Sequence, residues 1–203
     1  MRSGRSTGLW FDEFAIPYSV FKSHGLNMTI ASPKGGIAPI DPQSLAESQA
    51  DNPAAKAALA NTLALDEVVD NMFDALYIPG GNGTMYDLAK NALLEKILQQ
   101  HIDSDCLIAS VCHGAVCFTS LRQNGIPYVS NRAMTCFSNA EEHQTGAAEE
   151  YDFLVEDKCR ELGAKISIAD PWQEHTVQDG KLITGQNPQS CERLAKVLVD
   201  KLS

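Results

Sequence analysis

The chain has 203 residues, of which 44% are hydrophobic and 21% are charged, values that are ordinary for a globular protein and sufficient for one well-buried domain. Its 26 acidic and 16 basic side chains give a net charge of −10, which argues against a surface for nucleic acid or for anionic membranes. The apolar runs are too short to span a membrane, and residues 1–10 contain no apolar core typical of a signal peptide, so we expect a cytoplasmic protein.

The first third of the chain predicts a helix, a strand and then a polar excursion. Apolar residues recur on roughly one face of 8–25, and the following segment 26–31 (LNMTIA) alternates as a strand does. From 41 to 71 the sequence is alanine-rich and polar, with 53–69 as its most helical part and no strand signal. We therefore expect a helical excursion at about 41–71, placed over one end of the sheet.

The middle of the chain repeats a strand, a turn and a helix. A short apolar strand at 75–79 enters the glycine turn 80–83 (GGNG), and an amphipathic helix follows at 92–102. The apolar strand 107–111 then stops at Cys112. Repeats of this unit predict a parallel sheet flanked by helices, with the glycine turn and Cys112 at one edge.

The last third predicts shorter elements. We expect short strands at 128–129, 133–137 and 165–169, a helix at 151–162, a hairpin at 175–184 and a final helix from Asn187-Pro188 through Leu202.

Cys112 is the candidate nucleophile. A strand that ends at Cys112-His113-Gly114 before a helix-compatible segment can lift the cysteine beside the N-terminal amides of that helix, where a thiolate is favoured. The competing interpretation is a buried cysteine beside a surface histidine, but the strand, turn and glycine together favour the nucleophile. The ring of His113 is expected to point away from the sulfur unless the turn directs both side chains into one pocket.

The chain offers further groups for cysteine chemistry. Backbone N–H groups of the turn 80–83 and the amide after the nucleophile could hold an oxyanion. Spacing alone does not choose a proton-transfer group among the available carboxylates, which are Asp12, Glu13, Glu141, Glu142 and Glu174. No HxxxH or HxH spacing is present, and we expect neither a metal site nor a cofactor.

Several segments together resemble the ThiJ/PfpI superfamily, and most closely its chaperone-type branch of glutathione-independent glyoxalases (glyoxalase III). The matching segments are Thr7–Tyr18, Ala31–Gly36, Pro39–Ser44, Asp74–Leu88, Ser110–Ala115 and Asp179–Ser190. The resemblance implies the class I glutamine amidotransferase-like fold: an α/β, flavodoxin-like three-layer sandwich with a mostly parallel sheet and a nucleophile elbow. It implies a single domain over residues 1–203.

The resemblance also assigns roles by position. It implies that Cys112 is the nucleophile, that His113 is its neighbour in a triad-like set, and that Glu13 is the buried acid beside the sulfur. The third acidic member falls within 135–142, where Glu142 fits best and Glu141 remains the alternative.

The glycine turn would complete the site. Gly81, with its neighbours Gly80 and Asn82, would supply oxyanion or binding contacts, together with the amides of Cys112 and His113. This branch often has histidine where Asn82 stands, so the resemblance implies that any proton transfer by that ring is lost here.

The implied activity is the conversion of methylglyoxal to lactate through a cysteine hemithioacetal, with a small dicarbonyl substrate and no cofactor. The alternatives are a stress-response chaperone, a thiol redox sensor or a protein deglycase with little glyoxalase turnover. An amidase or protease is a weaker alternative, and a homodimer is left open.

One departure from the family concerns the sheet itself. In the family, an apolar interior strand precedes the segment that begins at Thr7, and only residues 1–6 stand before it here. A missing interior strand leaves backbone groups unpaired and a gap in the core. We therefore expect a sheet without its first strand, from a shortened gene model or from a deletion that compromises folding.

Overall fold

The computed structural model describes residues 1–48 and 51–203. The α-helices are α1 (Phe11–Ser23), α2 (Pro42–Glu47), α3 (Pro53–Leu59), α4 (Leu65–Val68), α5 (Thr84–Asp87), α6 (Ala92–Asp103), α7 (Asn139–Thr145), α8 (Val155–Glu161) and α9 (Cys191–Leu202). The strands are β1 (Ala31–Ser32), β2 (Leu63–Ala64), β3 (Ala75–Ile78), β4 (Leu107–Val111), β5 (Arg122–Gln123), β6 (Ile126–Pro127), β7 (Ala133–Met134), β8 (Lys165–Ile166), β9 (Thr176–Asp179) and β10 (Leu182–Gly185). Short 3-10 helices cover Cys112–Phe118, Ala148–Glu150 and Pro188–Ser190.

The central sheet has four strands in the order β3-β4-β10-β9. β3, β4 and β10 are parallel, and β9 joins antiparallel through the predicted hairpin. Every residue of β4 is buried, as expected of a strand with neighbours on both sides and helices α6 and α9 packed against it. The predicted α/β fold with a mostly parallel sheet is confirmed.

The last third of the chain is less regular than its sequence indicates. Residues 128–129 form a turn, the strands predicted at 133–137 and 165–169 shorten to β7 and β8, and the helix predicted at 151–162 is α8 alone. β7 and β8 form a two-stranded parallel sheet that has two residues in each strand. None of the helices in the described part of the chain combines the length and apolar character that crossing a membrane needs.

The excursion predicted at 41–71 contains α2, α3 and α4, and residues 49 and 50 of this segment lie outside the described residues. Asp41 caps α2 and Asn52 caps α3, each followed by the proline that favours a first helical turn. The structure adds strand β2 within this excursion, where no strand was predicted. β2 pairs in parallel with β1, so a small two-stranded sheet joins this excursion to the segment before it.

A cleft of about 1290 Å³ separates this small sheet from β3. Residues 26–30 line one side of it, and they keep the alternating exposure of a strand but belong to no ladder. On the other side, Leu76 and Ile78 bond to β4, whereas Ala75 and Tyr77 direct their backbone groups towards the cleft. This is the interruption expected of a sheet without an interior strand.

Helix α1 is tied to β3 through a proline. Pro17 lies in the interior of α1 rather than in its first turn, and its missing N–H leaves the carbonyl oxygen of Glu13 without the usual helical donor. The hydroxyl of Tyr77 donates to that oxygen at 2.5 Å. The tie fixes the turn of α1 that carries Glu13 against the sheet.

Candidate active site

The cysteine elbow follows directly from the end of β4. Cys112 adopts φ +58, a left-handed conformation that is strained for a residue with a Cβ, and the 3-10 helix begins at the same residue. Gly114 is needed because a Cβ there would lie 2.8 Å from the carbonyl oxygens of Ile78 and Pro79. The elbow therefore packs backbone against backbone at the carboxyl ends of β3 and β4.

Cys112, His113 and Glu142 form a continuous line of contacts. The sulfur lies 3.3 Å from Nδ1 of His113, and Nε2 of the same ring lies 2.6 Å from a carboxylate oxygen of Glu142. The elbow thus turns the ring towards the sulfur, the less expected of the two orientations. With Nε2–H donating to the carboxylate, Nδ1 is left as an acceptor for the thiol proton.

Aromatic rings enclose this histidine. The ring centroid of Phe137 lies 4.4 Å from that of His113, and the ring centroid of Tyr151 lies 5.9 Å from it. His113 and Glu142 are almost fully buried, at 2% and 1% exposure. Removal from water strengthens their mutual interaction, and Oε1 of Glu142 is a buried oxygen without a hydrogen-bond partner among the described residues.

Glu141 points into a different part of the protein from its neighbour. Its carboxylate accepts hydrogen bonds from five groups, which are Ser138 N, Ser138 Oγ, Trp172 N, Gln186 Nε2 and Asn187 Nδ2. These bonds join α7 to the loops around Trp172 and Gln186. The geometry therefore gives Glu141 a structural position and brings Glu142 to His113.

Glu13 lies on the other side of the sulfur. It is fully buried, and its Oε2 accepts a 2.7 Å hydrogen bond from the backbone N–H of Gly80. Burial raises the pKa of Glu13 to about 8, an effect that its interactions with Cys112 and Gly80 only partly offset. Glu13 is therefore a neutral carboxylic acid at neutral pH.

The thiol of Cys112 is also held in its neutral form. Burial, followed by the nearby carboxyl group of Glu13, raises the pKa of Cys112 well above its ordinary value. The backbone N–H groups of His113 and Gly81 act in the opposite direction and lower that pKa by a smaller amount. The expectation of a resting thiolate at the helix start is thus not met, and the proton must leave the sulfur as the reaction begins.

The glycine turn contributes three different contacts. Gly80 uses its amide to hold Glu13, and Gly81 directs its amide towards the sulfur. Asn82 accepts a 2.7 Å hydrogen bond at Oδ1 from the hydroxyl of Tyr151. Gly81 and the amide of His113 are thus the donors placed for an oxyanion on a group bound to the sulfur of Cys112.

Three aromatic residues at the site escaped the sequence-based reasoning. Tyr77 anchors the backbone of Glu13, while Phe137 and Tyr151 flank His113. Spacing could not have indicated Tyr151, which is 69 residues from Asn82 in the chain. Within residues 1–48 and 51–203, no three His, Cys, Asp or Glu side chains come together as a group that could hold a metal ion.

The chain is similar in sequence and structure to several known proteins. A glutathione-independent glyoxalase of Schizosaccharomyces pombe is 28% identical to it, over 98% of this chain and 90% of the relative. The crystal structure of glyoxalase III from Candida albicans has a TM-score of 0.85 at 25% identity and covers 98% of this chain and 90% of its own. The X-ray structure of the 24 kDa rapid encystment protein of Francisella tularensis has a TM-score of 0.92 at 33% identity. The match covers 98% of this chain and 92% of that protein. The model of the DJ-1/PfpI family matches residues 12–201, and the chain belongs to this family.

Proposed function

We propose that this protein is a glutathione-independent glyoxalase that converts methylglyoxal to lactate. The observation that carries the proposal is the line from Cys112 through His113 to Glu142, with distances of 3.3 Å and 2.6 Å and with the neutral acid Glu13 beside the sulfur. The similarity to proteins named glutathione-independent glyoxalases supports the same activity.

The first step is addition of the thiol to the aldehyde. Nδ1 of His113 takes the proton from Cys112 as the sulfur attacks the aldehyde carbon, and the oxygen that becomes negative is received by the N–H groups of Gly81 and His113. Glu142 stabilises the imidazolium that forms. Protonation of the oxygen then gives the hemithioacetal.

The second step moves a hydrogen between two carbons. A base removes the proton from the former aldehyde carbon, which gives an enediolate, and protonation of the adjacent carbon gives a lactoyl thioester of Cys112. His113 and Glu13 are the two groups that face the sulfur and exchange protons. Water then hydrolyses the thioester, which releases lactate and restores the thiol, so the overall reaction consumes one water and needs no oxidant.

The protonation state of Glu13 suits this chemistry. An ionised carboxylate beside the sulfur would oppose thiolate formation, and burial weakens that effect at neutral pH because it raises the pKa of Glu13 to about 8. The neutral acid can also donate its proton to a substrate oxygen, as a general acid does.

The test is lactate formation from methylglyoxal by purified protein without glutathione. Cys112→Ala is expected to abolish the activity, since no other thiol occupies the elbow. Cys106→Ala is the matched control, because Cys106 stands just before the opposite end of the same strand, β4. Absence of lactate from the unmodified protein, alongside a working glyoxalase, would refute the proposal.

The same experiment separates the alternatives. A deglycase would release free amino acid from methylglyoxal-modified amino acids faster than it forms lactate from free methylglyoxal. A chaperone would suppress aggregation equally well with Cys112→Ala. The redox-sensor alternative has less support from the site, because oxidation of a cysteine requires thiolate character and access, whereas Cys112 is 3% exposed and burial raises its pKa.

A further inference from the structure

Tyr151 and Asn82 form a hydrogen-bonded pair beside the proposed reaction centre. Tyr151 is 7% exposed, and its hydroxyl donates to Oδ1 of Asn82 at 2.7 Å. The tyrosine ring also flanks His113, with ring centroids 5.9 Å apart. One side chain therefore contacts both the histidine and the glycine turn.

The hydrogen bond fixes the direction of the Asn82 amide. Burial raises the pKa of Tyr151, so its hydroxyl remains a donor throughout the neutral range. Since that donor occupies Oδ1, the amide nitrogen Nδ2 is the free end of the side chain, and none of the described residues accepts a hydrogen bond from it. Asn82 follows Gly81, whose backbone N–H lowers the pKa of the Cys112 thiol.

Tyr151 is itself held firmly in place. Its carbonyl oxygen accepts from Nη1 of Arg2 at 2.9 Å, and the preceding carbonyl, of Glu150, accepts from the hydroxyl of Tyr86 at 2.9 Å. A residue fixed at both its backbone and its ring can transmit a defined orientation to its hydrogen-bond partner.

We propose that Tyr151 is a positioning residue that aims the Asn82 amide at the second oxygen of an α-oxo-aldehyde, which makes the site selective for dicarbonyls over simple aldehydes. The inference rests on the proposed function. While the Gly81 and His113 amides receive the oxygen on the carbon bonded to sulfur, the adjacent carbonyl oxygen gains negative charge in the enediolate and needs a donor of its own. Nδ2 of Asn82 is that donor.

The test compares adduct formation with methylglyoxal and with propanal, which lacks the second oxygen. The adduct dissociation constant is measured by NMR from the hemithioacetal carbon of the 13C-labelled aldehyde, before lactate accumulates, in a Cys106→Ala background. Tyr151→Phe keeps the ring and removes only the hydroxyl. We expect it to weaken the methylglyoxal adduct about fivefold, the effect of one neutral hydrogen bond, and to leave the propanal adduct unchanged.

Two further variants establish the route of the effect. Asn82→Ala should weaken the methylglyoxal adduct at least as much, and the double variant Asn82→Ala/Tyr151→Phe should equal Asn82→Ala alone, since Tyr151 acts through Asn82. Tyr128→Phe is the matched control, because it removes the hydroxyl of a buried tyrosine whose described ring contacts are Phe118 and Arg132. It should change either adduct by less than about twofold.

The outcomes are separable from those of the proposed function. A Tyr151→Phe variant that weakens both adducts equally, or not at all, would overturn the inference, as would additive effects in the double variant. Unmodified protein that forms the adduct but no lactate would refute the glyoxalase proposal while leaving this inference to be decided by the adduct constants. Protein that forms no methylglyoxal adduct would overturn both.

Discussion

Around the elbow, backbone approaches backbone so closely that Gly80 and Gly114 leave no room for a Cβ, whereas the outer edge of β3 faces a cleft of about 1290 Å³. The two regions are only one strand apart. Their difference indicates that the site depends on the paired side of the sheet, from β3 through β4 to β10. From the outer edge of β3, the one described side-chain hydrogen bond to Glu13 is donated by the Tyr77 hydroxyl. Perturbations at the elbow should therefore remove activity, and equal perturbations at the cleft should not.

The largest expected effect is on the rate. Glu142→Gln removes the charge that stabilises the His113 imidazolium, and we expect the rate of lactate formation to fall at least about 100-fold, the lower range for general acid–base catalysis. The measurement is the rate with saturating methylglyoxal. Glu141→Gln is the matched control on the same helix turn: it should lower the free energy of unfolding by about 2 kcal/mol through loss of charged hydrogen bonds, while the folded fraction retains activity. Equal rate losses in the two variants would contradict this distinction.

The next effect is on stability. Gly114→Ala places a Cβ 2.8 Å from two carbonyl oxygens, and we expect a loss of about 3 kcal/mol in the free energy of unfolding, measured by urea denaturation. Met28→Ala, on the cleft side, removes a half-buried side chain and should cost about 1 kcal/mol. Comparable losses at the two positions would show that the cleft is as tightly packed as the elbow.

A third prediction concerns pH. Because the folded-state pKa of Glu13, about 8, exceeds its ordinary value of 4.5, the folded state binds more protons between these values. Stability contributed by Glu13 is therefore full below pH 4.5 and is lost as pH rises through 8. Relative to Glu13→Gln, the wild-type free energy of unfolding should fall by at least about 1 kcal/mol between pH 5 and pH 8. Parallel pH profiles for the two proteins would refute the assignment.

The smallest expected effect is measured on the unmodified protein, as a difference in amide hydrogen exchange. Amide hydrogens of Ala75 and Tyr77, which face the cleft, should exchange with solvent far faster than that of Ile108, whose N–H bonds to the carbonyl of Lys181 at 2.9 Å inside the sheet. Hydrogen exchange followed by NMR measures all three. Slow exchange at Ala75 and Tyr77 would mean that the edge of β3 is protected.

The sequence predicts well where the strands and turns of the sheet lie along the chain. It predicts poorly which distant side chains come into contact. The apolar run 107–111, its stop at Cys112 and the hairpin at 175–184 are written in adjacent residues, and each is found where it was expected. Residues 26–30 have the alternation of a strand but form no ladder, because a ladder depends on a neighbour as well as on pattern.

The candidate site shows the same contrast between what neighbouring residues predict and what depends on the whole fold. Spacing could not choose among the carboxylates, and it is the position of α7 in space that brings Glu142 to His113 and turns Glu141 away. The ionisation of Cys112 differs from the sequence-based expectation for a related reason. The amides at the elbow act as expected, but burial, which depends on the whole fold, outweighs them.

The proline within α1 has a consequence for engineering this protein. Pro17→Ala would be chosen by any scheme that scores helix propensity, since it restores a regular helix. It would also give the Glu13 carbonyl a second donor in competition with the Tyr77 hydroxyl, which now holds that turn of the helix against the sheet. A more regular helix would thus weaken the Tyr77 hydrogen bond that positions Glu13. We expect the variant to unfold at a higher temperature and to turn over substrate more slowly.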